Sequence, residues 1–369
     1  MKKVVHVILG KANPDRMNGV NKVVNSLATA QSKLRYPVEV WGLSKKPNHD
    51  YPERNYHTKL YKDHGKYRLS LQLINDIRTE KEKNTIFHFH GAFILQFALI
   101  ARILRLCQIE YAVNLHGGYN RIALKRSRYK KRLYYLLVDR KYLNWAKFIQ
   151  IIGKSEKTGL EDFKIRTKII LIPNGQAYIP HRVVKVDSPQ FVFCGRMDLF
   201  TKGLDILLEG FALSIANGLN AKLKLIGGGP DFTDVVGRVH VLGIQDYVEF
   251  KGELYGQLKW DVILNSTSMI LTSRNEGLPG VVLESLALNV PVIVSEPTNM
   301  GEVVTKYGCG ILLDSNTPEK LSDAITHMCS KIGIQQYDIM CSACNEAVAN
   351  EYSWFNIASD LRLNYCIAS

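Results

Sequence analysis

The sequence predicts an α/β protein built from two doubly wound parallel sheets. Short apolar runs alternate with helix-length segments from Val4 onward, the pattern of strands joined by crossover helices. The alternation breaks once, at Pro173-Asn174-Gly175 with Pro180 just beyond, and then starts again. A chain of 369 residues is long enough for two domains, each with its own core.

In the first half, Val4–Leu9 reads as a strand. A helix is expected from Asn18-Gly19 to about Leu34, with Val20, Val23, Val24 and Leu27 on one face. Val38–Leu43 is the second strand, and the polar stretch from Ser44 to Arg68 reads as loop-rich. Ile86–His90 is a strand ending at Gly91, followed by an apolar helix from Phe93 to Leu106. Tyr111–Leu115 is a strand running into His116-Gly117-Gly118. One long basic helix is expected from about Ala123 to Trp145, then strands at Phe148–Ile152 and Lys168–Ile172. Gly10, His90-Gly91, His116-Gly117 and Gly153 fall at carboxyl ends of strands, where open α/β sheets bind ligands.

A linker is expected at about 174–188. Beyond it, strands are read at Phe191–Cys194, Leu223–Ile226, Val248–Lys251, Met269–Leu271, Val292–Val294 and Ile311–Leu313. Helices are read at Leu204–Asn217, 255–265 and 281–289. Two helical stretches close the chain, the last opened by Tyr352-Ser353-Trp354.

Two strand-to-helix junctions in the second half carry chemistry. From Ser273 to Pro291 a strand gives way to a loop with Gly277, Pro279 and Gly280, and then to a helix. Such a junction aims backbone N–H groups and a helix dipole at one point, where an anion is favoured. Glu276 and Glu284 flank it. Carboxylates suit hydroxyl groups rather than the anion, so part phosphate and part polyol describes the ligand: a nucleotide sugar. An ordinary Gly-turn with two unrelated acids is the alternative. The second junction runs from Gly195 to Gly203, where Arg196 offers a planar fork and Lys202 a point charge for a diphosphate. A solvated loop is the alternative there.

Charge divides the chain. Residues 1–180 hold 34 Lys/Arg against 13 Asp/Glu, a net of +21, and the remainder is net −7. A basic first half suits nucleic acid, an anionic membrane or a phosphorylated acceptor. Residues 121–141 concentrate it, with nine Lys/Arg against the single acid Asp139, interleaved with Tyr129, Leu133, Tyr134, Tyr135, Leu136, Leu137 and Tyr142. A basic amphipathic helix points to an anionic membrane surface. The alternative is a helix that packs its Leu/Tyr face on the sheet, and no recognised motif supports nucleic acid as partner. No apolar run reaches the ~18 residues of a membrane span, and the first apolar run is too short for a leader peptide. Seven scattered cysteines argue against a disulfide framework. Cys341-x-x-Cys344 suits helix packing better than metal or redox use.

Taken together, these residues resemble a GT-B glycosyltransferase of the family-four retaining group. The matching residues are Gly195-Arg196 with Lys202-Gly203, Pro173-Asn174-Gly175, Gly227-x-Gly229-Pro230, Val248-x-Phe250-x-Gly252, and Glu276-Gly277-Leu278-Pro279 through Glu284. His116-Gly117 and Asn18-Gly19 match on the N-terminal side. The resemblance implies two Rossmann-like domains facing across a cleft. Residues 1–175 would bind the acceptor, 189–350 would bind the nucleotide sugar, and a helix in 351–369 would cross back to the first domain.

The resemblance also implies roles. Arg196 and Lys202 bind the donor diphosphate. Glu276 holds sugar hydroxyls near the reacting carbon, and Glu284 accepts from the ribose. The backbone of Gly280 and Val281 meets a phosphate, Gly19 lets the first loop approach the donor, and His116 lines the sugar pocket, with a strand-end His bonded to backbone as the alternative. Catalytic work falls to Glu276, His116, Arg196 and Lys202. His88 and His90 read as structural. No Asp-x-Asp metal motif is evident, so no metal or other cofactor is expected, and the Arg/Lys pair would neutralise the leaving diphosphate. Where many relatives have two glycines in the first loop, this chain has Asn18-Gly19.

The implied function is transfer of a hexose, with retention by front-face attack, from a nucleotide sugar, UDP-linked by family habit, to a lipid-diphosphate-linked glycan. The implied setting is bacterial surface polysaccharide, O-antigen or capsule, with the enzyme cytoplasmic and peripheral on the inner face of the plasma membrane. Two rival classes fit the residues less well. A dehydrogenase would need G-x-G-x-x-G after the first strand, but the turn is Gly10-Lys11-Ala12-Asn13-Pro14. A non-enzymatic basic adaptor for membrane or nucleic acid leaves the Arg196/Lys202 and Glu276/Glu284 constellation unexplained.

Overall fold

The computed structural model describes residues 2–13, 19–81, 84–125, 127–180 and 188–367, without the side chains of Ile122 and Lys125. Asn18 of the first loop, Arg126 of the basic stretch and 181–187 of the expected linker lie outside the described residues. The chain divides into two compact units, 1–175 with 354–369, and 176–353.

The first unit begins β1 (Lys3–Leu9), α1 (Gly19–Lys33), β2 (Val38–Ser44), β3 (His57–Lys62), α2 (Leu71–Thr79), β4 (Thr85–His90) and α3 (Leu95–Leu106). It continues β5 (Glu110–Asn114), α4 (Arg121–Lys125), α5 (Arg128–Tyr134), α6 (Arg140–Asn144), β6 (Phe148–Ile151), α7 (Lys154–Leu160) and β7 (Ile169–Leu171). The strands form one parallel sheet in the order β3-β2-β1-β4-β5-β6-β7. Parallel strands need crossover connections, and both faces of such a sheet are covered. Alternation along β1 and β4 therefore feeds two cores. Val5, Val7, Phe87 and Phe89 pack with Trp41 and Phe97 on one face. Val4 and Ile86 pack on the other with Leu27 of α1.

The second unit runs β8 (Gln190–Cys194), α8 (Leu204–Ala216), β9 (Lys222–Ile226), α9 (Phe232–Val241), β10 (Val248–Gly252), α10 (Gly256–Leu264) and β11 (Ser268–Leu271). It ends α11 (Gly280–Ala287), β12 (Val292–Val294), α12 (Gly301–Tyr307), β13 (Gly310–Leu312), α13 (Pro318–Lys331) and α14 (Gln335–Glu351). Its parallel sheet has the order β10-β9-β8-β11-β12-β13. The chain moves outward from β8 to β10 and then returns beside β8 as β11, which makes the carboxyl ends of β8 and β11 the topological switch point. Cys344 is buried in α14 and its thiol donates to Met340 O, so it serves packing. The last helix, α15 (Trp354–Cys366), belongs to the first unit, where Ile357, Ala358, Leu361 and Tyr365 cover Val4, Ile86 and Phe148.

Three sequence expectations are corrected. The stretch from Ser44 to Arg68 contains β3, an edge strand. Its charged residues are what edge strands carry, and only Thr58 and Tyr61 are buried. The long basic helix is broken. Ser127 adopts φ +63°, which ends α4 before α5 starts, and a π-helical turn over Tyr135–Asp139 separates α5 from α6. The wider turn carries Asp139 inward, where Tyr119 Oη donates to it at 2.6 Å. Three helices, not two, follow β13.

Candidate active site

The switch point of the second unit is shaped by close backbone contacts. Gly227, with φ +135°, presses on the turn after β8, and a Cβ there would lie 1.9 Å from Gly195 O. Gly203, with φ +63°, lies against the end of β11, and a Cβ would meet Thr272 O at 2.0 Å. Any larger residue at either position would push the two loops apart. Hydrogen bonds pin the same loops. Met197 N donates to Gly228 O at 2.9 Å, and Thr272 Oγ1 to Gly203 O at 2.8 Å.

These constraints set Lys202 beside the loop after β11. Lys202 Nζ lies 2.5 Å from Glu276 Oε1, and Ser273 Oγ donates to the same oxygen at 2.8 Å. The Glu276 loop is held by Asn299 Nδ2, which donates to the Glu276 and Gly277 carbonyls at 2.7 and 3.0 Å. Arg274 anchors the other side with a bidentate pair to Asp205, at 2.8 and 2.7 Å. Arg196 pairs with Asp198 at 2.8 Å, and its side chain stays 55% exposed, open to a ligand.

Gly280 and Val281 begin α11. Pro279 supplies no side-chain cap, and nothing lies within 4 Å of where a Gly280 Cβ would stand, so the backbone there can be approached closely. Glu284, one turn on, pairs with Lys259 of α10. Burial pushes the Cys194 thiol at the end of β8 up to about 11, Lys259 and Lys202 pull it down, and Glu284 raises it further. The thiol thus senses three charges at one strand end. Two ion pairs, Lys202–Glu276 and Lys259–Glu284, stand here, a set of groups suited to a ligand that carries both anionic and hydroxyl groups. Lys259 was not singled out from the sequence. It sits in Gln257-Leu258-Lys259-Trp260, which has no Gly/Pro turn or motif to mark it.

In the first unit, Gly19 opens α1 with free space at its Cβ position. His116 follows β5 at φ +49°, half-buried, its backbone N donating to Asn114 Oδ1 at 3.0 Å. Burial pushes its pKa down to about 3, so the ring is neutral. His116 Nε2 lies 3.0 Å from His90 Nδ1.

The basic stretch holds a second feature. Arg121, Leu124, Arg128, Lys131, Arg132, Asp162 and Phe163 line a pocket of about 300 Å³. Tyr135 and Tyr142 are buried, whereas Tyr129, Leu133, Leu136 and Leu137 are each more than half exposed. At spacings of four, seven and eight residues, those four share one side of the segment.

Residues 17–176 match the family Glycosyltransferase Family 4, and residues 177–336 match Glycosyl transferases group 1. An uncharacterised glycosyltransferase of Methanocaldococcus jannaschii is 27% identical over 186 residues, 50% of this chain and 46% of that protein. The GDP-mannose-dependent alpha-(1-6)-phosphatidylinositol monomannoside mannosyltransferase of Mycobacterium tuberculosis is 26% identical over 199 residues, 51% of this chain and 50% of that protein. The chain thus spans about half the length of these curated relatives. Among solved structures, Anabaena HepE in complex with UDP gives a TM-score of 0.72 at 13% identity, over 98% of each chain, a likeness of fold.

Proposed function

We propose that this chain, a GT-B glycosyltransferase made of a glycosyltransferase family 4 unit and a group 1 unit, moves a hexose from a nucleotide sugar to a lipid-linked glycan. The observation that carries the donor reading is the Lys202–Glu276 pair at the switch point, 2.5 Å apart beside the open start of α11. In this reading Lys202 and Arg196 take the diphosphate, with the Gly280 and Val281 backbone adding dipoles of fixed direction. Glu276 takes sugar hydroxyls and Glu284 the ribose.

Breaking the sugar–phosphate bond builds positive charge on the ring and negative charge on the diphosphate. Cations already in place stabilise the latter without reorganisation. The acceptor hydroxyl attacks the same face, and its proton passes to a leaving diphosphate oxygen, so configuration is retained without a metal. UDP is the favoured nucleotide, supported by its presence in the HepE structure.

The acceptor reading rests on the first unit. Cations beside an exposed Tyr129/Leu133/Leu136/Leu137 stripe match an anionic lipid surface, where a lipid-diphosphate-linked acceptor resides. The mycobacterial relative is named for transfer to a phosphatidylinositol glycan, which fits that setting. The proposed place is the cytoplasmic face of a bacterial membrane, in surface polysaccharide assembly such as O-antigen or capsule. The non-enzymatic adaptor reading is not favoured, because both units match glycosyltransferase families.

The test is nucleotide release from a panel of UDP-, GDP- and ADP-sugars, with and without a lipid-diphosphate acceptor. Release from one nucleotide class, stimulated by acceptor and impaired by Glu276→Gln, is expected. No release from any of them would overturn the reading.

A further inference from the structure

Three histidines of the first unit play no part in that transfer. His6 lies on β1 and His88 and His90 on β4, with His6 and His88 directly paired in register. Alternation turns all three toward the face covered by α1 and α15, and they are 0%, 0% and 2% exposed. One ring nitrogen of each lies within 4.8 Å of those of the other two.

The remaining nitrogens point outward to partners. His6 Nε2 is 2.7 Å from Gln31 Oε1, His90 Nδ1 is 3.0 Å from His116 Nε2, and His88 Nδ1 is 2.6 Å from Tyr365 Oη. On the inner side, His6 Nδ1 and His90 Nε2 lie 2.8 Å apart. His88 Nε2 is buried without a hydrogen-bond partner. Burial keeps the three rings neutral, the form that ligates metals.

A neutral imidazole has one proton to place. With each proton on the outer nitrogen, Gln31, His116 and Tyr365 each accept one, and three lone pairs are left on buried inner nitrogens. We propose that His6, His88 and His90 form a binding site for one divalent transition metal, Zn²⁺ by preference, through His6 Nδ1, His88 Nε2 and His90 Nε2. Imidazole suits Zn²⁺ at ~2.0–2.1 Å in tetrahedral geometry, so two ligand atoms on one ion stand ~3.3–3.4 Å apart. Closing from 4.8 Å asks for a relative shift of up to about 1.5 Å. The outward bonds are of the kind that orient metal-bound histidines and fix their tautomers. Here they place the His116 proton on Nδ1, because its Nε2 must accept from His90. The ion ties β1 to β4 beneath α15 and is loaded as the first unit folds.

The competing arrangement is a metal-free chain in which His116 donates to His90, His90 to His6, and His6 to Gln31. It leaves His88 Nε2 unpartnered. Untagged full-length protein, expressed with Zn²⁺ or Co²⁺ and passed through gel filtration, distinguishes them by elemental analysis and by the visible spectrum of the Co²⁺ form. The expected result is about one metal per chain, with d–d bands of a low-symmetry nitrogen site, and loss of both in His88→Asn. Tyr365→Phe removes one outer acceptor with little change of shape, and should weaken metal retention ~10–100-fold. It serves as the test if His88→Asn does not fold. Less than a tenth of an equivalent in the wild type, or undiminished metal in a folded His88→Asn or Tyr365→Phe protein, would overturn the proposal.

Discussion

Lys202→Ala removes an ammonium 2.5 Å from Glu276 Oε1, in a pair whose side chains are only 21% and 13% exposed. Solvent screens such a pair poorly, and two effects follow. The diphosphate loses a charge-assisted contact, and Glu276 loses one of the groups that aim it, keeping the bond from Ser273 Oγ. One charge-assisted hydrogen bond contributes ~1.5–3 kcal/mol, so kcat/KM should fall by roughly tenfold to 150-fold, at ~1.4 kcal/mol per decade. Initial-rate nucleotide release measures this, with circular dichroism to check that the variant is folded. A double-mutant cycle with Glu276→Gln separates the two effects. If Lys202 merely aims Glu276, its removal costs nothing further in the Glu276→Gln background. If it also binds the diphosphate, kcat/KM should drop by about another tenfold there. Kinetics within about twofold of the parent in both backgrounds would refute the diphosphate role.

Four other outcomes are expected. Glu284→Gln and Lys259→Met should raise donor KM several-fold with kcat little changed, because a ribose contact is equal in ground and transition states, whereas Glu276→Gln should lower kcat; the reverse pattern would exchange the two glutamates' roles. Brief EDTA treatment should leave transfer unchanged if, as proposed, Arg196 and Lys202 meet the diphosphate, and loss of activity with recovery on Mg²⁺ or Mn²⁺ would contradict this. Full-length protein should sediment with anionic but not neutral liposomes and be released by high salt, and serine at Lys130, Lys131 and Arg132, or at Leu133, Leu136 and Leu137, should weaken binding, at ~1 kcal/mol per cation. Asp139 and Glu156 are buried and burial pushes each up to about 7, so the folded state holds protons that the unfolded chain has released between about pH 4 and 7. Their stabilising contribution is complete below the unfolded pKa and is lost as pH rises through 7, so stability should be greater at pH 5.5 than at pH 8 by about 2 kcal/mol per group, and Asp139→Asn with Glu156→Gln should flatten that difference in Tm.

The central strands were legible because burial on both faces leaves only apolar runs such as those of β1, β8 and β12. β3 was not, because an edge strand is buried on few positions and displays His57, Lys59 and Lys62 to solvent. The broken basic helix fails for another reason. Periodicity through residues 123–145 reads as continuous, and no residue type announces that Ser127 turns left-handed. Along the same stretch Tyr135 and Tyr142 go inward while Leu133, Leu136 and Leu137 remain outside. Burial of the whole Leu/Tyr set on the sheet, the alternative reading, is not what the structure has, because these leucines stay exposed.

The candidate site divides along the same line. Arg196, Lys202, Glu276 and Glu284 stand at strand-to-helix junctions marked by glycine and proline, and local pattern is enough to propose them. Lys259 is found only when α10 packs beside α11 and brings it to Glu284. The histidines go further. In Phe87-His88-Phe89-His90, alternation explains why phenylalanine fills one core and histidine faces the other. Their partners cannot be read locally, because His6 is 84 residues from His90 and Tyr365 is 277 from His88. Sheet order β1-β4-β5 and the return of α15 create that cluster, so its chemistry is a property of topology. His116, read from sequence as a pocket residue, and His90, read as structural, are therefore bonded to each other, with the His88 ring packed against His90. A change at His6 would reach His116 through the bonds His6–His90 and His90–His116.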